Sequence, residues 1–158
     1  MQDRNSIPPR LFSFAKSETF LSSAAAPTSI IFSEINLILR DVVSGKNGTA
    51  SLADIHGYNV GGKTGTSENY QDKKNNMNTF ISAFPMKEPK YILLVMLENP
   101  QPAPDLVYDY RGVKTKVNRN EAGWNSVYVA GKIIEKIGPI LAIKNKEFYN
   151  NYVAKKSN

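Results

Sequence analysis

The chain has 158 residues, a formal net charge of +6, one histidine and no cysteine. This length suits one ordinary domain, and 41% hydrophobic with 22% charged residues is typical of a globular protein. The lack of cysteine excludes a disulfide framework and thiolate metal sites, and a single histidine, His56, does not predict a zinc site. The lysines are scattered, so the charge predicts a solvated surface rather than a nucleic-acid-binding site. We expect no metal and no cofactor.

The two ends of the chain carry weak structural signals. Residues 1–32 contain Pro8, Pro9 and Pro27 without a sustained period of two or 3.6, so we predict a loosely structured segment. Residues 144–158 are predicted to form a basic, frayed tail. The opening residues do not resemble a signal peptide, and no apolar run reaches the roughly 18 residues of a spanning helix. We therefore expect neither a leader nor a membrane span in this sequence.

Two helices are predicted between these ends. The first starts at Ser33, whose hydroxyl can cap it, and stops at Ser44 and Gly45. Its apolar residues recur at helical spacing: Ile35, Ile38, Leu39 and Val42. The second helix runs over residues 125–143, with a kink or break expected at Pro139. Its apolar residues also form one stripe: Val127, Ala130, Ile133, Ile134, Ile137 and Leu141.

Strands are predicted over residues 58–66, 79–84 and 90–97. The last of these is almost continuously apolar, which indicates a central position in a sheet. Residues 99–121 contain several prolines and charges and are predicted to form a long surface loop. Three residues of that loop are candidates for contact with a substrate or partner, with a plain surface role as the alternative: Tyr108, Tyr110 and Arg111.

Residues 57–66 read Gly-Tyr-Asn-Val-Gly-Gly-Lys-Thr-Gly-Thr and fit two anion-binding motifs. From Gly57 they match G-x-x-x-x-G-K-T, the phosphate loop of nucleotide-binding proteins; from Lys63 they match K-T-G-T. A phosphate loop follows a buried apolar strand and opens into a helix. Here Asp54 and His56 precede the motif, and poor helix formers follow it. The flanks therefore disfavour nucleotide binding.

The K-T-G-T alternative requires an extended strand along a cleft. Lys63 and the Thr64 hydroxyl suit a free carboxylate, because one supplies a positive charge and the other a hydrogen-bond donor. Gly65 leaves no side chain between the strand and a ligand. The backbone amide of Thr66 could donate to an oxyanion, a contribution of roughly 3 to 4 kcal/mol in such sites.

The motif stands within an ordered set of blocks, which comprises residues 36–43, 79–84, 89–101 and 122–141. In this order they resemble the C-terminal part of the transpeptidase domain of class B penicillin-binding proteins, and the last block is more similar to the septal, cell-division type. The resemblance covers residues 33–143, which we take as a partial transpeptidase domain. It implies an α+β fold of the penicillin-binding-protein and serine β-lactamase kind. Three antiparallel strands would carry a preceding and a C-terminal helix packed on the sheet.

The resemblance also implies a function. Such enzymes cross-link peptidoglycan at the periplasmic side of the bacterial inner membrane: a serine attacks the D-Ala-D-Ala end of a stem peptide, and the acyl group passes to an amine. Lys63, Thr64, Gly65 and Thr66 would bind the stem peptide carboxylate or its β-lactam mimic, with the Thr66 amide as oxyanion donor. Further partners would be a missing N-terminal half and cell-division proteins, and no nucleic acid is expected.

The family's nucleophile is not found in this sequence. Ser13 to Lys16 fit S-x-x-K but lie too close to Lys63, and Ser67 to Asn69 fit S-x-N on the wrong side of K-T-G. We therefore predict that the chain alone is inactive. Two interpretations stay open, a fragment of a transpeptidase and an interaction module that completes a separately encoded half. In either case one face and one edge of the sheet should be uncovered and apolar.

Overall fold

The structure is a computed structural model that describes residues 14–16, 26–68 and 76–144. In chain order its elements are strand β1 (Phe14–Lys16), helix α1 (Ala26–Ser44), a single 3-10 turn η1 (Ser51–Ala53), strands β2 (Gly61–Glu68), β3 (Asn76–Phe84), β4 (Tyr91–Glu98), β5 (Val107–Tyr110) and β6 (Val113–Lys116), and helix α2 (Ser126–Lys144). The predicted α+β class is confirmed. Within the described ranges, neither helix has the length and apolarity needed to span a bilayer.

The main sheet has four antiparallel strands in the order β1-β4-β3-β2. The three predicted strands are confirmed, with shifted ends. The fourth strand, β1, comes from the segment predicted to be loosely structured and pairs with the outer edge of β4 over three residues. This edge of β4 is therefore paired over those three residues. On the opposite side, β2 is the outermost strand among the described residues.

Helix α2 covers one face of this sheet and forms the core with it. The fully buried apolar side chains between the two layers are Phe80, Phe84, Leu93, Val95, Val127, Ala130 and Ile134. Each large one contributes about 1.5 to 3 kcal/mol through its removal from water.

Of the kink or break predicted in α2, the break is wrong, since the helix runs through Pro139 without interruption. Pro139 and Glu135 are both exposed, so water can donate a hydrogen bond to the Glu135 carbonyl, which receives none from the proline nitrogen. Gly138 is buried against the ring of Tyr58, where a β-carbon would collide with that ring.

Helix α1 begins at Ala26, well before the predicted cap at Ser33, and ends at Ser44 as predicted. Its predicted apolar stripe is only partly a core stripe, because Ile35 and Ile38 remain 44% and 65% exposed. The helix is anchored near its C-terminal end, where Val43 is buried. Helical spacing identified the apolar side of α1, but the described residues supply a packing partner for its last turns only.

The second face of the sheet carries a continuous apolar surface, which we call the open face. It consists of exposed residues from β3 and β4: Met77, Ile81, Ile92, Leu94 and Met96. The predicted exposure of apolar surface is thus confirmed. This surface lies on the face of the sheet opposite to the one that α2 covers.

The loop predicted over residues 99–121 contains a β-hairpin, formed by β5 and β6. Arg111 and Gly112 make its turn with φ angles of 54° and 80°. The Asp109 carboxylate accepts a hydrogen bond of 3.1 Å from the Gly112 amide and forms an ion pair with Lys114 at 2.9 Å. The hairpin was missed because its strands have four residues each and are rich in charge, so they lack an apolar alternation.

Candidate ligand-binding site

The residues of the K-T-G-T motif lie extended in the middle of β2. Strand continues on both sides of Lys63 and Thr64, from Gly61 to Glu68, so no helix opens behind the motif. A phosphate loop needs the amides at a helix N-terminus. The nucleotide-binding alternative from Gly57 is therefore excluded by the geometry.

Alternation along β2 sends the lysine and the two threonines to different sides of the strand. Lys63 pairs with Ile81 of β3 and so shares the open face. Thr64 pairs with Phe80, whose side chain is in the core, so Thr64 and Thr66 lie on the side of the sheet covered by α2. Because β2 is the outermost described strand, a ligand along its edge can reach the ammonium from one side and the hydroxyls from the other.

The ammonium group of Lys63 is exposed and bends back to donate a hydrogen bond to its neighbour's carbonyl, Thr64 O, at 2.6 Å. No carboxylate among the described residues pairs with it. A solvated, unpaired ammonium beside a strand edge can bind an incoming carboxylate without first breaking an ion pair.

The two threonine hydroxyls each have one polar neighbour. The Thr64 hydroxyl lies 3.0 Å from the hydroxyl of Thr49, which is in the connection between α1 and β2. The Thr66 hydroxyl accepts a long hydrogen bond of 3.4 Å from the amide of Ala122. Both threonines therefore have further hydrogen-bonding capacity for a ligand.

These hydroxyls open into a pocket of about 440 Å³. Its wall consists of Asn47, Gly48, Thr49, Thr64, Thr66, Tyr110, Arg119, Glu121, Ala122, Gly123 and Trp124. The pocket is thus built from four parts of the chain: the α1–β2 connection, β2, the end of β5, and the segment just before α2.

An aromatic wall and an ion pair border this pocket. The Tyr110 ring is tilted against the ring of Trp124, with 5.1 Å between centroids. Arg119 binds Glu121 through two nitrogens, and its guanidinium lies 6.0 Å from the Trp124 ring centroid. This hydrogen bond holds the pKa of the Glu121 carboxyl below its ordinary value. The pKa of Tyr110 is also lowered. The largest cause is a hydrogen bond with Arg111, and the next is a hydrogen bond with Ser51.

Side-chain amides hold this wall against the sheet. The side chain of Asn78, buried in β3, donates to the carbonyl of Asn120 at 2.5 Å, and the Asn120 side chain donates to the Pro100 carbonyl at 2.6 Å. The backbone beside Arg119 and Glu121 is therefore fixed relative to β2.

The Arg40 guanidinium fixes the residues that lead into β2. Arg40 of α1 donates to the carbonyl of Val60 at 2.6 Å and pairs with Asp54 at 2.7 Å. Both contacts involve one planar side chain, so the helix, the η1 region and the start of the strand are held together.

A sequence model described as "Penicillin binding protein transpeptidase domain" matches residues 28–120. The match covers more than half of the chain. The chain belongs to the penicillin-binding protein transpeptidase family. The recognition from ordered sequence blocks is thereby confirmed, and the relatives described next place the chain with FtsI-type class B proteins.

Two relatives illustrate how much of a transpeptidase the chain represents. It is 30% identical over 122 residues to "Probable peptidoglycan D,D-transpeptidase FtsI" of Caulobacter vibrioides, which covers 71% of this chain and 19% of that protein. It is 36% identical over 72 residues to "Stage V sporulation protein D" of Bacillus subtilis, covering 43% of this chain and 11% of the relative. The chain thus spans about a fifth or less of the length of these two relatives.

Solved transpeptidase structures are also similar to the chain. The transpeptidase domain of FtsI4 from Legionella pneumophila shares 27% identity with a TM-score of 0.47, covering 65% of this chain and 33% of that domain. Penicillin binding protein 3 from Mycobacterium tuberculosis, solved with ampicillin, shares 23% identity with a TM-score of 0.44, covering 67% of this chain and 24% of that protein. The family assignment does not depend on these two comparisons.

The two partial motif matches, S-x-x-K at residues 13–16 and S-x-N at residues 67–69, are described only in part. Phe14–Lys16 form β1 at the opposite edge of the sheet from β2, with β4 and β3 between them. At about 4.8 Å per strand this puts them some 14 Å from β2, and they are extended rather than helical. Ser67 follows the motif in β2 and is exposed, while Ser13 and Asn69 lie outside the described residues.

The pocket brings Thr64 and Thr66 together with three residues that sequence reasoning missed, namely Thr49, Arg119 and Trp124. Lys63 lies on the open face instead, and Gly65 does not line the pocket. Nothing local marks Thr49 as a site residue, since it lies in a polar connection of ordinary composition. Trp124, the one tryptophan of the chain, offered a weak signal through its rarity. Tyr110, which was considered for substrate contact, lines the pocket. The catalytic and binding roles of Lys63, Thr64, Gly65 and Thr66 stay predictions.

Proposed function

We propose that this chain is the carboxylate-binding part of a cell-division peptidoglycan D,D-transpeptidase whose nucleophilic serine is supplied from outside the described residues. The observation that carries the proposal is the extended K-T-G-T segment on the outermost strand. It presents a cation on one side and two hydroxyls on the other, next to a pocket lined by aromatic rings.

In the proposed reaction, the oxygen of the missing serine bonds to the carbonyl carbon of the penultimate D-Ala while its proton passes to a base. The terminal D-Ala leaves, and an amine of a neighbouring strand then takes the acyl group and regenerates the serine. Lys63 and the hydroxyls of Thr64 and Thr66 bind the terminal carboxylate of the donor peptide, or that of a β-lactam. Gly65 allows close approach.

The Thr66 amide acts as the oxyanion donor in this proposal. Thr64 and Thr66 are two residues apart in β2, so their backbone N–H and C=O groups point toward the same neighbouring edge of the strand. The Thr64 carbonyl receives the Lys63 ammonium, which supports an outward direction for this side. Such a donor contributes about 3 to 4 kcal/mol to transition-state binding, which corresponds to a 10²- to 10³-fold rate effect.

The proposed partners follow from this role. They are a peptidoglycan stem peptide or a β-lactam, together with other proteins of the division machinery. The proposed place of action is the periplasmic side of the bacterial inner membrane. By itself the chain should form no acyl-enzyme.

The test uses a hybrid enzyme, which we call the chimera, in which this chain's aligned residues replace the matched 122 residues of the Caulobacter relative. The chimera should be labelled covalently by a fluorescent penicillin, whereas the isolated chain should not. Lys63→Ala should slow labelling about 10- to 100-fold, since a charge-assisted hydrogen bond contributes about 1.5 to 3 kcal/mol. Lys136→Ala, at an exposed lysine of α2, is the matched control and should leave the rate unchanged.

Two results would overturn the proposal. One is a folded chimera in which Lys63→Ala and Lys136→Ala react with penicillin at the same rate. The other is covalent labelling of the isolated chain, because the nucleophile would then lie within it; loss of that labelling in Ser13→Ala would identify it.

A further inference from the structure

A second pocket, which we call the hairpin pocket, lies between the β5–β6 hairpin, the η1 region and helix α2. Its volume is about 530 Å³, larger than that of the pocket beside Thr64, and the two pockets share no lining residue. Ligand pockets in proteins occupy about 300 to 1,000 Å³, so this cavity has room for a small organic molecule. None of the residues placed in the proposed transpeptidase reaction lines it.

Part of the lining of the hairpin pocket is apolar. Val43 is buried, Leu52 and Ile55 are half-buried, and Val107 is 48% exposed. Tyr128 adds an aromatic ring from α2. The apolar part of a ligand would leave water on contact with these side chains, which favours its binding.

The lining also contains six charged side chains, and five of them already have a partner of opposite charge. These pairs are Lys114 with Asp109 at 2.9 Å, Lys132 with Glu135 at 2.8 Å and, with a partner outside the lining, Asp54 with Arg40 at 2.7 Å. Each pair has no net charge, so none of the three requires a charged ligand.

Arg111 is the sixth charged residue of the lining, and no carboxylate among the described residues pairs with it. One of the five N–H groups of its guanidinium donates to the carbonyl of Gly45 at 2.6 Å, and the side chain also forms a hydrogen bond with Tyr110. These two contacts hold the guanidinium in place, while further N–H groups remain for a ligand. A guanidinium can donate to both oxygens of one carboxylate.

We propose that the hairpin pocket binds a small organic acid, a molecule with one carboxylate and an apolar body, through the guanidinium of Arg111. The charges favour a single negative charge, because one cation of the lining has no carboxylate partner. The apolar side chains favour an organic body over inorganic phosphate or sulfate, whose whole surface is polar. This site does not depend on the proposed function, so either can fail without the other.

Two compounds with the same apolar body test the role of the carboxylate. They are 2-naphthylacetate and its neutral amide, 2-naphthylacetamide, each titrated into the isotopically labelled full-length chain and followed by NMR. Both should shift the backbone amide signals of Gly112 and Lys132, which line the hairpin pocket from the hairpin and from α2. The acetate should bind about tenfold more tightly than the amide, because only the acetate forms a charge-assisted hydrogen bond.

Variants of Arg111 show whether the guanidinium causes this difference. Arg111→Gln should make the two affinities equal, because it removes the charge. Arg111→Lys keeps the charge but lacks the planar fork, so the difference should shrink to about threefold. Lys136→Gln, at an exposed lysine of α2 that does not line the pocket, is the matched control and should keep the full difference.

Salt provides a test that needs no variant and therefore does not depend on how a substitution affects the hairpin. Sodium chloride at about 0.5 M should weaken binding of the acetate to the parent chain and leave binding of the amide unchanged, because salt screens exposed charges. Equal salt dependence of the two compounds would overturn the inference.

Four further results would also overturn it. The first is equal affinity of the parent chain for the acetate and the amide, and the second is the absence of any shift at Gly112 and Lys132. The third is a full difference in Arg111→Gln, because another cation would then bind the carboxylate. The fourth is a set of shifts confined to the open face or to the neighbourhood of Thr64, because the compounds would then bind there and not in the hairpin pocket.

Discussion

The hydroxyl oxygens of Thr49 and Thr64 lie 3.0 Å apart, although fifteen positions separate the two residues. Thr64 belongs to the predicted carboxylate-binding motif, and Thr49 belongs to the connection that leads from α1 into β2. A hydrogen bond between them limits the directions in which the Thr64 hydroxyl can donate. We interpret Thr49 as a positioning residue, because it acts on a ligand through Thr64.

Replacement of Thr49 tests this relationship. Thr49→Val should slow penicillin acylation of the chimera about 3- to 10-fold, since a neutral hydrogen bond contributes roughly 0.5 to 1.5 kcal/mol. Thr49→Ser keeps the hydroxyl and should restore most of the rate. Thr115→Val on β6 is the matched control. Equal rates for Thr49→Val and the parent chimera would show that Thr64 needs no such neighbour.

The two glycines that flank Lys63 and Thr64 should respond differently to alanine. A β-carbon on Gly62 would collide with the carbonyl of Ile81 and the ring of Phe80, so Gly62→Ala should lower the free energy of unfolding by about 1 to 3 kcal/mol. A β-carbon on Gly65 would meet only Thr79, at 3.8 Å. Gly65→Ala should therefore leave stability nearly unchanged but slow acylation, because the methyl group would stand between strand and ligand.

Urea unfolding and acylation rates of both glycine variants check this contrast. The idea of close ligand approach fails if Gly65→Ala reacts at the parent rate. It also fails if the loss of rate in Gly65→Ala matches a loss of stability.

The contacts of Arg40 differ in energetic weight. Arg40→Ala removes the hydrogen bond to the carbonyl of Val60, a fully buried residue, and should cost about 1 to 3 kcal/mol of unfolding free energy. Asp54→Ala removes only the ion pair, whose side chains are 25% and 39% exposed, and should cost less than about 1 kcal/mol. Urea unfolding of both single variants and the double variant measures how much the hydrogen bond and the ion pair each contribute to stability. A larger loss in Asp54→Ala than in Arg40→Ala would contradict this assignment.

The carboxyl of Glu121 should titrate below the ordinary range of a glutamate, because it accepts hydrogen bonds from Arg119. A lowered folded-state pKa means that this pair stabilises the protein above the ordinary glutamate pKa. That stabilisation is lost as the pH falls through the lowered value. The effect on stability should be small, since both side chains are more than half exposed.

An NMR titration of the Glu121 side chain measures this pKa directly. Arg119→Gln should return it toward the ordinary value, while Lys132→Gln, which disturbs the separate pair with Glu135, should not change it. An unchanged Glu121 titration in Arg119→Gln would show that another group causes the shift. Trp124, the one tryptophan, gives a second readout, because the Arg119 guanidinium lies near its ring.

Local sequence determined the features that depend on neighbours in the chain. The glycines around Lys63 predicted a strand, the residues on either side of the motif disfavoured a phosphate loop, and the ordered blocks predicted the family. The apolar stripe of α2 predicted which side of that helix is buried. In each case the information lies in the spacing of residues within a single element, because side-chain direction follows from backbone periodicity.

The tertiary structure decided what depends on distant segments. Pairing of Phe14–Lys16 with β4, the contact between Thr49 and Thr64, and the place of Arg119 beside Trp124 all join residues that have no regular spacing. The open face belongs to the same group, since β3 could bury either of its alternating sets until α2 covered one of them. Packing, not propensity, selected the covered face, because burial of Phe80 and Leu93 against α2 contributes more free energy than any local preference of the strand.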